Sequence, residues 1–253
     1  FPLAIAGFAG IINETLDRIL LKQILFNPGN PSSLEQAEAQ VGIYSASYKL
    51  AMLVTILLQA YRYAAEPFFF NQMKNENRNK IYSQIMNVFI AVVCVVFLLV
   101  TLNIDVFKYF IQNEAYWVGL KVVPILLMAN IFLGIYFNQS IWYKLSGKTQ
   151  FGAYIALTGA FLTVVINVLY IPKYGYMACA WATLIVYFVQ MVLSYMLGQK
   201  YYPIPYNLKK VVLYIGLSLL FYALSPYLRM DNCTWNFIIQ NCLLVMFVVM
   251  VYV

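Results

Sequence analysis

The sequence predicts an all-α integral membrane protein that crosses the bilayer eight times. Of its residues, 63% are hydrophobic and 10% are charged, whereas a globular domain is about half apolar and about a quarter charged. The mean hydropathy is +0.75. The apolar residues also form long continuous blocks, not the short alternating segments of a membrane β-barrel. One soluble core could not bury this much apolar surface, so lipid must surround most of the chain.

Each apolar block is long enough to cross a bilayer as a helix, at about 1.5 Å per residue. The predicted spans are residues 2–26, 41–70, 81–103, 119–143, 151–171, 175–197, 210–228 and 233–253. Between the fifth and sixth, "IPKYG" predicts a helix break at Pro172 and a tight hairpin at Gly175. The other Pro-rich connections, "NPGNPSSLEQAEAQ" and "KYYPIPYNLKK", are too short for a soluble domain.

Basic residues indicate the orientation of these spans, because Lys and Arg concentrate in cytoplasmic loops. The odd-numbered loops and their margins carry four of them, and the even-numbered loops carry twice as many. The residues of the even loops are Lys74, Arg78, Lys80, Lys144, Lys148, Lys200, Lys209 and Lys210. We therefore expect both chain ends to face the cytoplasm. The net charge of +7 is dispersed over short loops and does not indicate nucleic-acid binding.

Several kinds of chemistry are disfavoured by the residue types present. The chain has no His, the commonest general base and metal ligand, and no nucleotide-binding or nucleophile-elbow motif. Its four Cys show no C-x-x-C spacing and are interpreted as buried thiols. Acid–base catalysis by Glu14 and Asp17 stays open. A membrane enzyme usually exposes its acidic or metal-binding cluster at the membrane surface, however, and the outer loops here are too short to favour this. We expect no catalytic residues, no metal and no cofactor.

The ionisable residues inside the apolar blocks are concentrated in the first two spans. In "IINETLDRILLKQIL", Glu14 and Arg18 lie four residues apart and share a helix face, as do Arg62 and Glu66 in the second span. A charge at a helix centre costs about 2.5–3.5 kcal/mol, so these side chains must face protein or water.

Two interpretations of these charges remain open. In the structural one, each pair neutralises itself and fixes helix packing, or Arg62 and Glu66 extend to the inner headgroups. In the functional one, the charges line a hydrated cavity, and its cations bind an anionic substrate.

Three segments resemble the oligosaccharide-lipid (O-antigen) flippases of the multidrug/oligosaccharidyl-lipid/polysaccharide (MOP) exporter superfamily. They are "NETLDRILL" in the first span, "VGIYSASYKLAMLVTILLQAYRYAAEPFFF" in the second, and "NVLYIPKYGYMACAWATLIVYFVQMVLSYMLGQKYYPIPY" around the hairpin. The resemblance covers nearly the whole chain. Its motifs are typical of a membrane family and do not mark a catalytic site.

The resemblance implies two six-helix lobes that rock about a central cavity by alternating access. Residues 1–197 would then be the second lobe and 210–253 an additional helix pair. The first lobe would be missing, and the abrupt start of the chain agrees with a fragment of a longer protein. The implied setting is the bacterial inner membrane, and the implied process is export of surface polysaccharide such as the O-antigen of lipopolysaccharide. The implied partners are an undecaprenyl-diphosphate-linked oligosaccharide, the lipid bilayer and polysaccharide assembly proteins.

Nine residues are candidates for the substrate cavity. The cations expected to attract the lipid diphosphate are Arg18, Lys49 and Arg62. The amides expected to contact sugars are Gln59, Asn138 and Gln139. The carboxylates expected to tune the charge or couple transport to an ion are Glu14, Asp17 and Glu66.

Two other functions are weighed against the flippase. A cation or drug antiporter of the same superfamily (MATE-like) should have a cavity dominated by acidic residues, which Arg18, Lys49 and Arg62 disfavour. A membrane glycosyltransferase or polymerase should have a large outer loop with acidic or His residues. The longest outer connections, near 27–40 and 104–118, are short and lack His.

Overall fold

The computed structural model describes residues 2–29, 31–229 and 232–252, without the side chains at 2, 3, 5, 6, 9, 13, 14, 31, 233 and 252. Helix accounts for 89% of the structure, and the described ranges contain no strand. The α-helices are α1 (Pro2–Leu25), α2 (Pro31–Asn71), α3 (Arg78–Leu102), α4 (Ile104–Phe107), α5 (Val123–Gln139), α6 (Ile141–Leu145), α7 (Gln150–Tyr174), α8 (Tyr176–Tyr201), α9 (Leu208–Leu224) and α10 (Cys233–Tyr252). Short 3₁₀ segments are Gln72–Lys74, Lys108–Phe110, Glu114–Val122 and Ser225–Leu228.

Seven helical segments in the described ranges are long and apolar enough to cross a membrane. They contain α2, α3, α5 with α6, α7, α8, α9 and α10. Helix α1, whose side chains are described only in part, is not among them; it carries Glu14, Asp17 and Arg18. The prediction of an all-helical protein is confirmed, and the seven helices agree with a multi-pass membrane protein. The count of eight stays a prediction.

Two predicted spans differ most from the structure, the second and the fourth. Helix α2 begins at Pro31, ten residues before the predicted start at 41, because proline suits the first turn of a helix and "SSLEQAEAQ" contains good helix formers. The fourth span is not one helix: a 3₁₀ segment leads into α5, which ends at Gln139 before the short α6. At the break, the Ser140 hydroxyl donates to the Phe137 carbonyl at 2.6 Å, which competes with the helical backbone bonds.

The predicted hairpin between the fifth and sixth spans is present, but Pro172 does not break the helix. Helix α7 continues through Pro172 to Tyr174. Gly175 then turns the chain with a φ of 55°, a left-handed conformation that favours glycine. The turn is held by α2, since the Tyr176 amide donates to the Gln40 side chain at 3.0 Å.

The helices form two compact units, the first of which comprises Phe1–Lys74 and Asn113–Pro203. In this unit α1 packs along α7, α5 packs along α8, and α2 lies against α1 and α5. Buried polar side chains link the helices: Asn130 donates to the Ala51 carbonyl at 3.1 Å, and the Trp142 indole donates to Ser194 at 3.3 Å. Such bonds add to the packing of small and apolar side chains that holds membrane helices together.

The second unit comprises Asn75–Gln112 and Ile204–Val253, so α3 groups with α9 and α10. Asn241 donates to Asn103 at 3.1 Å, and Phe97 meets Tyr222 edge to face. Most of the apolar surface of α9 and α10 faces outward, as lipid-facing helices require. The predicted division into 1–197 and 210–253 separates α3 from this pair, whereas the contacts join them; the lobe assignment stays a prediction.

Candidate functional site

A buried carboxylate joins four helices of the first unit. Asp17 of α1 is 2% exposed. Its side chain accepts hydrogen bonds from Tyr44 of α2 at 3.1 Å, Asn167 of α7 at 2.6 Å and Thr183 of α8 at 2.9 Å. A buried carboxylate is stable only when its oxygens are well bonded, so this cluster fixes the relative positions of α1, α2, α7 and α8.

Arg18 points to a different neighbour. Its guanidinium carbon lies 4.5 Å from the centroid of the Tyr48 ring, a cation–π arrangement. Its Nε is buried and has no hydrogen-bond acceptor among the residues that the structure describes. The predicted partner, Glu14, has its side chain outside the described residues.

The first unit also contains a cavity of about 590 Å³. Its wall comes from α1, α2, α5, α6, α7 and α8 and is mainly aromatic and polar. The lining residues used below are Gln59, Arg62, Glu66, Phe137, Lys144 and Gln190. This volume falls in the range of small-molecule sites, which combine apolar walls with a few placed polar groups.

Three charged side chains meet at the wall of this cavity. Glu66 Oε1 accepts from Arg62 Nε at 3.0 Å, and the same oxygen is contacted by Lys144 Nζ. Arg62 and Glu66 are neighbours on α2, whereas Lys144 comes from α6. The Arg62 guanidinium also lies over the Phe137 ring, 4.9 Å from its centroid. The described lining therefore carries two cations and one carboxylate.

The amide groups of the cavity differ in how firmly they are held. Gln190 is 6% exposed, and its Nε2 donates to the Ile155 carbonyl of α7 at 3.3 Å. Gly159 leaves room for this side chain, since a Cβ at Gly159 would overlap the Gln190 amide. Gln59 is half-buried on α2. These amides are suited to the hydroxyl groups of a polar ligand.

The structure places the nine predicted residues in several surroundings. Those that line the cavity are Gln59, Arg62 and Glu66. Those absent from its described lining are Asp17, Arg18, Lys49, Asn138 and Gln139. Lys49 is exposed; Asn138 is buried and accepts from the Tyr61 hydroxyl at 2.6 Å; Gln139 is buried. Their roles in substrate binding stay predictions, as does that of Glu14.

Two groups of residues at these sites were not predicted from the sequence. Lys144 was assigned to a cytoplasmic loop, since it follows an apolar block, yet it lies on the cavity wall. The partners of Asp17 are far away in sequence: Tyr44, Asn167 and Thr183. Asn167 could have been singled out from the sequence, because it is a polar residue in the middle of an apolar span. Tyr44 and Thr183 occur in patterns that many membrane helices share.

The described residues contain no group of three or more His, Cys, Asp or Glu side chains placed to hold a metal ion. Comparison of the chain with protein-family models, with curated proteins and with solved structures finds no match.

Proposed function

We propose that the protein is a flippase that moves undecaprenyl-diphosphate-linked glycan units across the bacterial inner membrane for surface polysaccharide export. It acts as a transporter by alternating access, not as an enzyme, with both ends of the chain in the cytoplasm. The observation that supports this most is the cavity of about 590 Å³, which carries Arg62 and Lys144 within apolar helices. The resemblance of three segments to MOP-superfamily flippases supports it independently.

The chemistry of the cavity suits a lipid-linked glycan. A diphosphate needs cations, and the planar fork of an arginine matches phosphate oxygens. Sugar hydroxyls need donors and acceptors, which Gln59 and Gln190 supply. Aromatic walls such as Phe137 offer flat apolar surface to a sugar ring. In this proposal Arg62 contacts the diphosphate and Gln59 contacts the glycan.

The charge of the cavity also bears on the other candidate transporter. An antiporter of cationic drugs requires carboxylates in excess, because a cation is held by negative side chains. The described lining has one carboxylate, Glu66, and it contacts both Arg62 and Lys144. This favours an anionic ligand.

The test is deletion of the full-length gene, followed by analysis of lipid-linked oligosaccharide. We expect completed units to accumulate on the cytoplasmic leaflet; loss of the units themselves would favour an enzyme. Complementation with Arg62→Gln should lower the export rate about 10–100-fold, the effect of losing about 1.5–3 kcal/mol of charge-assisted hydrogen bonding. The matched control is Arg229→Gln, which removes an exposed guanidinium paired with Asp105 outside the cavity. Equal export by both variants at equal expression would contradict the role of Arg62.

A further inference from the structure

One carboxylate oxygen in the cavity is shared by two cations from different helices. Glu66 Oε1 lies 3.0 Å from Arg62 Nε and also contacts Lys144 Nζ. The side chains of Arg62 and Glu66 are 38% and 33% exposed, whereas that of Lys144 is 9% exposed. The shared oxygen is thus reachable from the cavity, and the ammonium group behind it is largely enclosed.

Without the negative charge of Glu66, Arg62 and Lys144 would repel each other. The apolar helices around them provide little dielectric screening of that repulsion. A phosphate-type oxyanion offers the same kind of acceptor as the carboxylate and more negative charge. Such an anion and the Glu66 carboxylate would compete for the same donors. The Arg62 guanidinium lies over the Phe137 ring, with its carbon 4.9 Å from the ring centroid, and this contact would keep Arg62 in place during such an exchange.

We propose that Glu66 is a displaceable internal counter-ion. It holds Arg62 and Lys144 together in the empty cavity and yields both cations to the phosphate-type group of an anionic ligand. Lys144 is then a binding residue, and Glu66 sets the affinity by competing with the ligand. That the anion belongs to a lipid diphosphate rests on the proposed function; the competition itself does not.

The critical variant is Glu66→Gln, which keeps the size of the side chain and removes its charge. The empty protein should become less stable, because the two cations lose their counter-ion. Binding of inorganic pyrophosphate should become about tenfold tighter, because the ligand no longer displaces a charged competitor. Arg62→Gln and Lys144→Gln should each weaken binding about tenfold or more.

The experiment measures pyrophosphate affinity by calorimetry, with the protein in nanodiscs of uncharged phosphatidylcholine. The matched control is Glu38→Gln, which neutralises a carboxylate paired with Lys22 outside the cavity lining. It should leave the affinity unchanged. Glu66→Asp keeps the charge and shortens the side chain, so its affinity should lie between those of wild type and Glu66→Gln. This second variant serves if Glu66→Gln does not fold.

Equal or weaker binding by Glu66→Gln would overturn the counter-ion proposal, as would an equal gain in Glu38→Gln. Absence of pyrophosphate binding by wild type and all variants would overturn the anion site. The second arm of the experiment measures the affinity for undecaprenyl diphosphate. If this lipid binds more tightly than pyrophosphate, the ligand is lipid-linked; if the two affinities are equal, the ligand is a free anion. Either result supports the anion site. Tighter binding by Glu66→Gln without glycan accumulation in the deletion strain would overturn the proposed function alone.

Discussion

Removal of the Asp17 carboxylate should destabilise the first unit more than neutralisation of an exposed carboxylate. Asp17→Ala deletes the acceptor of three hydrogen bonds, from Tyr44, Asn167 and Thr183. Tyr44 and Asn167 are fully buried, so bulk water does not reach their donor groups. Thr183 is less affected, since its hydroxyl proton has an alternative acceptor in the Cys179 carbonyl, 2.9 Å away.

The expected magnitude follows from these three bonds. In membrane proteins a hydrogen bond between helices contributes about 0.6 kcal/mol on average and up to about 1.7 kcal/mol. Loss of three such bonds gives about 2–5 kcal/mol. A chain of this length loses about 2–4 °C in melting temperature for each kcal/mol, so Asp17→Ala should melt about 10 °C below wild type. Asp17→Asn keeps the volume and one acceptor oxygen, and its loss should be less than half of that.

The assay is thermal unfolding of the detergent-purified protein, followed by fluorescence-detected size exclusion. Glu38→Gln is the control, because its exposed pair with Lys22 contributes about 0–1 kcal/mol. Melting of Asp17→Ala within about 3 °C of wild type would refute the interpretation of the cluster as a structural anchor. A loss in the control as large as in Asp17→Ala would refute it as well.

Two further predictions concern packing and topology. Gly159→Ala should lower stability by about 1–3 kcal/mol, since its Cβ must displace the Gln190 amide; thermal unfolding checks this, and an unchanged melting temperature would contradict the close packing of α7 on α8. A single cysteine at Lys148 should react with a membrane-impermeant maleimide only after the inner membrane is opened, and one at Glu114 should react in intact spheroplasts. The reverse labelling pattern would show that the predicted orientation is wrong.

The helical class and most of the spans could be predicted from the sequence, because continuous apolar blocks leave few alternatives in a bilayer. The ends of these helices were harder to predict. The start of α2 at Pro31 was missed, since the polar segment before 41 is typical of a loop although its residues favour helix. The break at Ser140 depends on a local hydrogen bond that hydropathy does not register.

The candidate site was predictable only in part. Arg62 and Glu66 lie four residues apart on one helix, so their contact follows from the helical repeat. The contact of Lys144 with the same carboxylate depends on how α6 packs near α2, which no local pattern specifies. The same holds for Asn167, which donates to Asp17 across 150 positions of sequence.

The length of α2 has a mechanical consequence. Helix α2 carries both Tyr44, which donates to Asp17, and Arg62, which donates to Glu66. At the rise of an α-helix, these two residues are separated by about 27 Å. A tilt of about 10° around the Tyr44 end would carry the Arg62 end through an arc of about 5 Å. That displacement exceeds the reach of an ion pair, so a small rotation at the anchored end is enough to separate Glu66 from Lys144. Helix α2 can thus act as a lever arm with its fulcrum at Asp17.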